Sequence, residues 1–111
     1  MATPTPSSLC KLRSWHLGVM LALAFTQAGC GGLLYTFRAT SASSTLEEAQ
    51  ALGAERHAPY AYWSARAHLE KAREEASQAQ YGDAWDLATE AEVQAVEAVN
   101  QSRRAQRGRG R

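Results

Sequence analysis

Few side chains in this sequence could carry chemistry. Across the 111 residues there are two cysteines, Cys10 and Cys30, three histidines, His16, His57 and His68, and eleven carboxylates. The cysteines have neither the number nor the spacing of a disulfide framework or a zinc site. His57 falls in a short connection and His68 beside Leu69, each without a second His or Cys at ligand spacing. Glu55 and His57 could meet a metal only adventitiously, so no metal site is expected. Glu47, Glu48, Glu70, Glu74, Glu75, Glu90 and Glu92 recur among bases at helical spacing. Pairs such as Glu70 with Arg73, or Lys71 with Glu74 or Glu75, explain themselves as a solvated helix face. A catalytic acid–base pair needs burial to drive two pKa values apart, and nothing in the pattern forms a pocket. No catalytic residue, no cofactor and no enzyme is expected.

Two groups of residues remain as binding candidates. Tyr60 and Trp63 are i,i+3 neighbours while Tyr62 lies on the core stripe, so not all can face inward on one narrow helix, and Trp85 shares a second face with Thr89, Val93 and Val96. Such leftover aromatics mark a candidate partner surface, with end-capping of a thin bundle as the plainer alternative. Arg103, Arg104, Arg107, Arg109 and Arg111 form a basic terminus without an acid. They could contact anions, anionic lipid or polysaccharide above all, by an attraction that salt weakens. A merely solubilising tail is the alternative.

The position of Cys30 fixes how the rest is read. Lys11 and Arg13 precede Leu17–Phe25, a run without charge. The run is too short for a bilayer span, which needs about 20 apolar residues, and suits the apolar region of a secretory signal. Thr26-Gln27-Ala28-Gly29 leads into Cys30 and resembles the bacterial lipoprotein signal, with Gln27 standing where an aliphatic residue is usual. That resemblance implies cleavage before Cys30, loss of residues 1–29 (Cys10 and His16 with them), and lipidation of Cys30. Ordinary cleavage near Gly29, or an uncleaved anchor extended through Leu33-Leu34, stays open. Gly31 after the cysteine is not acidic, which favours the outer membrane facing the periplasm over inner-membrane retention.

Beyond Cys30 the charge is segregated. Residues 33–102 hold five bases against all eleven acids, a formal −6, while residues 103–111 hold five arginines. The expected organisation is a signal at 1–29, a helical module at 30–102 and a disordered Arg/Gly tail at 103–111.

The module reads as all-α. Tyr35, Ala39, Ala42, Leu46 and Ala49 alternate steps of four and three, predicting a helix over about 35–52. Its start could instead lie at the Ser41–Thr45 cluster, where Ser44 with Glu47, or Thr45 with Glu48, would form a capping box. Gly53 suits the C-terminal cap and Pro59 the opening of a second helix. That helix is predicted over about 59–80, with the stripe Tyr62, Ala65, Leu69, Ala72, Ala76 and Ala79. Tyr81-Gly82-Asp83 reads as a tight turn with Asp83 as N-cap, before a third helix over about 84–103. The third stripe is Ala84, Ala88, Ala91, Ala95 and Ala98, flanked by Leu87 and Val99. Short connections imply antiparallel neighbours: an Ala-rich helical hairpin, or a three-helix up-down-up bundle. Folding about Gly82 pairs Ala76 with Ala88 and Leu69 with Ala95. Folding about 54–58 pairs Leu46 with Ala65 and Ala42 with Leu69. Alanines bury little area each, so Leu46, Leu69, Leu87, Tyr62, Trp63 and Trp85 are expected to carry the core. Self-association or a docked partner would add stability.

The segment LGAERHAPYAYWSARAHLEKAREEASQAQYGDAWDLATEAEVQA resembles the bacterial envelope proteins grouped as domain of unknown function 4398. The resemblance rests on Gly53-Ala54, Ala58-Pro59, the run Ala65–Ala76, and Tyr81-Gly82-Asp83 before Leu87-Ala88. It also looks like part of a tetratricopeptide repeat, but no second copy follows at that period. Many members of the first family are lipoproteins, which implies an envelope location in keeping with Cys30; the family brings no reaction or site residues. The expectation is a lipid-anchored cell-envelope protein with a small interaction or structural module. Its partners would be the membrane, through Cys30, and an envelope protein or a second copy, with no nucleic acid. A basic-tailed helical protein binding anionic polymer or nucleic acid is the alternative.

Overall fold

Alanines at alternating three- and four-residue steps dictate the architecture, because a stripe of small side chains lets helices approach closely and leaves polar faces to water. The computed structural model describes residues 18–19 and 29–111. The expected signal, apart from Gly18, Val19 and Gly29, lies outside the described residues. From Gly29 onward the chain is helical apart from short connections, as α1 (Gly29–Ala51), α2 (Ala54–His57), α3 (Pro59–Ser77) and α4 (Tyr81–Arg109).

The three long helices run up, down and up. Tyr62 of α3 packs in one buried cluster with Ala49, Ala54, Ala58, Ala61, Ala98 and Val99, and Leu69 in a second with Ala42 and Ala91. α1 lies beside α4 and parallel to it: Arg38 bonds Glu92, and further along Gln106 donates to the Leu52 carbonyl at 3.2 Å. The stripes of all three helices face this core as expected, with Ala84, Ala88, Ala91, Ala95 and Ala98 wholly buried. Ala79 departs from the expectation and is exposed. So is Trp63, at 51 %.

α1 continues through the Ser41–Thr45 cluster instead of starting there. Its hydroxyls bond back to carbonyls one turn earlier: Thr36 to Gly32 and Thr40 to Thr36, each at 2.8 Å, and Thr45 to Ser41 at 3.1 Å. That pattern absorbs the side chains without breaking the helix. At Gly53, φ is +74° and ψ 32°, the left-handed conformation that only glycine adopts cheaply. Residues 54–58, read as a plain connection, hold the single turn α2, whose Ala54 is buried, and Ala58, also buried, follows it. Pro59 opens α3.

The second connection is displaced from the predicted Tyr81-Gly82-Asp83. α3 ends at Ser77, and the Ala79 amide donates to the Ala76 carbonyl while the Gln80 amide donates to Glu75, both at 3.0 Å. These two bonds define a Schellman cap with Ala79 at the left-handed position, φ 59°. Gln80 is the N-cap of α4, its carbonyl accepting from the Ala84 amide, and Gly82 and Asp83 lie inside the first turn. The hairpin therefore turns earlier, and Leu69 meets Ala91, one helical turn before the expected Ala95.

The tail is a second correction. α4 runs to Arg109, not 103, so residues 103–109 are helical. Ser102 is fully buried, its hydroxyl donating to the Ala98 carbonyl at 2.8 Å. Arg103 pairs with Glu48, and Gln106 reaches the α1 terminus. Arg, Gln and Ala are good helix formers, and α1 and α2 give the final turns something to lie against.

Candidate functional site

Cys30 sits in the first turn of α1, exposed and without a disulfide partner among the described residues. Two glycines follow it. A Cβ on Gly31 would stand 3.2 Å from the Tyr81 Cβ, so glycine is what lets the start of α1 close on the start of α4.

Farther along, the flank where α1 meets α4 carries the best-organised polar group of the described residues. Arg38 donates through a terminal guanidinium nitrogen to Glu92 Oε2 at 2.5 Å, and the Ser41 hydroxyl donates to Oε1 at 2.6 Å. The Arg38 guanidinium carbon also lies 4.8 Å from the Trp85 ring centroid, within cation–π range. The Ser41 hydroxyl, and then Arg38, hold the Glu92 carboxyl below its ordinary value. A carboxylate kept ionised beside a guanidinium, with both its oxygens engaged, is a clamp between helices. It is not poised to transfer a proton. Among the described residues no three His, Cys, Asp or Glu side chains gather as metal ligands.

On α3 several titratable groups are spent locally. Arg66 pairs with Glu70 at 3.2 Å, and Lys71 with Glu74 at 3.1 Å and Glu75 at 2.9 Å. The glutamates hold both bases above their ordinary values, in the hydrogen-bonded pairs of a solvated face. Glu70 thus joins Arg66 on its own helix, and Arg73 instead donates to the Ser43 hydroxyl at 3.0 Å. His68 Nδ1 lies 2.8 Å from the Ser64 carbonyl, a contact that requires the proton on Nδ1. His57 lies against Gly53.

The three aromatics proposed as one surface are divided. Tyr60, 82 % exposed, and Trp63 lie on the outer side of α3, with Trp63 edge-on to Tyr62 at 5.1 Å and Arg66 over its face at 5.5 Å. Trp85 is half-buried near the opposite end of the bundle against Arg38. It shares a depression with exposed Leu34, while Val93 and Val96, also exposed, line a groove farther along α4 beside Arg38 and Glu92, and Phe37 of α1 is exposed too. Of the arginines, Arg103 is taken by Glu48, while Arg104, Arg107, Arg109 and Arg111 are exposed and make no ion pair among the described residues. Sequence reasoning missed Arg38, Ser41 and Glu92. Their partnership crosses more than fifty positions, and only the shared flank of two stripes hinted at it.

A family model described as Domain of unknown function (DUF4398) matches residues 38–109. That span takes in most of α1, all of α2 and α3, and α4 to its last helical residue. No curated protein and no solved structure matches the chain.

Proposed function

The chain belongs to the DUF4398 family, and from that premise we propose that it is a lipid-anchored protein of the bacterial cell envelope, its helical module serving as a structural or interaction element and not as an enzyme. The observation that carries the reading is Cys30. It is exposed at the head of α1, preceded by an apolar run with basic residues before it, and the family-matched module follows in the same helix. Lipidation at that point would fix one end of the bundle to the bilayer and leave the module in the aqueous compartment. Several acyl chains give the stable attachment that a single one does not. Gly31 after the cysteine favours the outer membrane.

Fatty-acid labelling and fractionation of cells expressing the chain or Cys30→Ala test this. Label and membrane association in the first, and neither in the second, are expected. An unlabelled, cytoplasmic parent chain refutes the reading. The free arginines at the end of α4 favour a second reading, attachment to an anionic polymer such as an envelope polysaccharide or nucleic acid. It predicts salt-sensitive retention on a soluble polyanion that is lost with those arginines.

A further inference from the structure

The flank where α1 and α4 run side by side presents bulky apolar side chains from both helices. Leu34 and Phe37 come from α1, Val93 and Val96 from α4, with Phe37 73 % and Val93 56 % exposed. Val93 and Val96 line, with Arg38, Thr89 and Glu92, a shallow groove of about 500 Å³. Exposed apolar residues on two adjacent helices mark a surface that meets something.

What it meets is indicated by the other half of the same strip. At 100° per residue, the line of Val93, Val96 and Asn100 on α4 continues as Arg104 and Arg107. No acid follows Glu97. The acids beside the strip are engaged: Glu92 by Arg38 and Ser41, Glu48 by Arg103, and Glu97 as acceptor from Gln101 at 2.9 Å. Asp86 stays exposed at the margin.

We propose that this flank lies flat on an anionic lipid surface, with Leu34, Phe37, Val93 and Val96 at the acyl–headgroup boundary and Arg104 and Arg107 on the phosphates. An apolar protein partner would account for the four apolar residues and leave the arginines idle. A soluble polyanion would do the reverse. An anionic bilayer surface engages both, in the manner of interfacial helices whose apolar side sinks while arginines reach the headgroups. The proposal stands whether or not Cys30 carries lipid.

The test uses the full chain with Cys10→Ser and Cys30→Ser, which removes any lipidation. A polarity-sensitive fluorophore is placed at Val93→Cys or, on the outer side of α3, at Glu70→Cys. Vesicles of phosphatidylcholine, with or without phosphatidylglycerol, carry a nitroxide-lipid quencher. Because Leu17–Phe25 can itself hold the chain on a vesicle, the position of quenching decides, not the bound fraction. On phosphatidylglycerol vesicles the reporter at 93 should be quenched and blue-shifted, and that at 70 unaffected. Arg104→Gln with Arg107→Gln should weaken the phosphatidylglycerol-dependent signal about 25-fold, near fivefold for each arginine. Circular dichroism verifies that each variant keeps its helix content. Equal quenching at both positions, or none at 93 on bound chain, overturns the proposal. So does a concentration-dependent blue shift at 93 without vesicles, which would assign the flank to a second copy. An arginine-dependent binding of soluble polyphosphate, with the reporter at 93 silent on vesicles, overturns it in favour of a polymer.

Discussion

The turn between α3 and α4 offers the sharpest test of the fold, because two substitutions change sign according to where it lies. Ala79 has φ 59° and is exposed. An L-residue with a Cβ pays about 1–2 kcal/mol in that conformation, and glycine does not. Glycine in turn raises the entropy of the unfolded chain, an opposing effect of about 0.4–1 kcal/mol. No buried contact is lost when the Ala79 methyl is removed. The net expectation for Ala79→Gly is a stabilisation of about 0.5–1 kcal/mol, which in a domain of this size raises Tm by about 2–8 °C.

Gly82 supplies the counterpart. It lies in the first turn of α4, and a Cβ there would meet nothing within 4 Å. Gly82→Ala should therefore stabilise by about 0.5–1 kcal/mol through the higher helix propensity of alanine. A turn at Tyr81-Gly82-Asp83 would demand the opposite on both counts: Ala79 inside a helix, where glycine costs about 1 kcal/mol, and Gly82 in a left-handed turn, where alanine is strained. Thermal and urea melts of the purified chain and the two variants decide. Lowered stability in both would refute the Schellman geometry at Ala79 and restore the later turn.

Gly53→Ala, placing a Cβ at φ +74° and about 3.4 Å from the His57 ring, should lower stability by about 1 kcal/mol, read as a fall in Tm of about 4–8 °C. The Glu92 carboxyl has its pKa depressed by Ser41 and Arg38. Its contribution is therefore present above the unfolded carboxylate value, near 4.3, and is lost as pH falls through the lower folded value. Glu92→Gln should cost about 1 kcal/mol at pH 7 and much less at pH 3, so urea midpoints of parent and variant should converge on acidification. Ala91→Leu, at a position with no exposure between Ala42 and Leu69, should cost about 1–3 kcal/mol by overpacking, measured by the same melts. Deleting residues 103–111 removes the Arg103–Glu48 pair and the Gln106 bond, so mean helicity and stability should both drop; unchanged ellipticity per molecule would mean the tail was never helical.

The helices were legible because their stripes are written in one residue type. Ala42 and Ala49, Ala65 and Ala72, and the series Ala84–Ala98 all face the core, and no competing pattern obscured them. The turn was not legible, because local chemistry argued for the wrong place. Tyr-Gly-Asp holds the residues that turn most cheaply, whereas the chain puts its left-handed residue at an alanine. The register of the interface decides instead. Tyr62 against Ala98 and Leu69 against Ala91 share one offset, and that offset requires the reversal near Ala79. Burying two large side chains in good contact outweighs about 1 kcal/mol of backbone strain.

The same competition accounts for the tail and for the exposed flank. Arg-Gly alternation reads as disorder by composition. Yet the three- and four-residue period does not stop at Ala98; it runs on through Ser102 and Ala105, small residues that extend the alanine stripe by two turns. Treating serine as a spacer of the same size would have revealed the longer helix, and with it the alignment of Arg104 and Arg107 below Val93 and Val96. The Arg38–Ser41–Glu92 clamp carried no such signal. Each member sits just off its stripe, among many exposed charges, and only the parallel placement of α1 beside α4 brings the three together. The face proposed to meet a membrane is thus set less by any motif than by which flank the core leaves over. The alanines fix the core, and the residues left outside it are aligned by it.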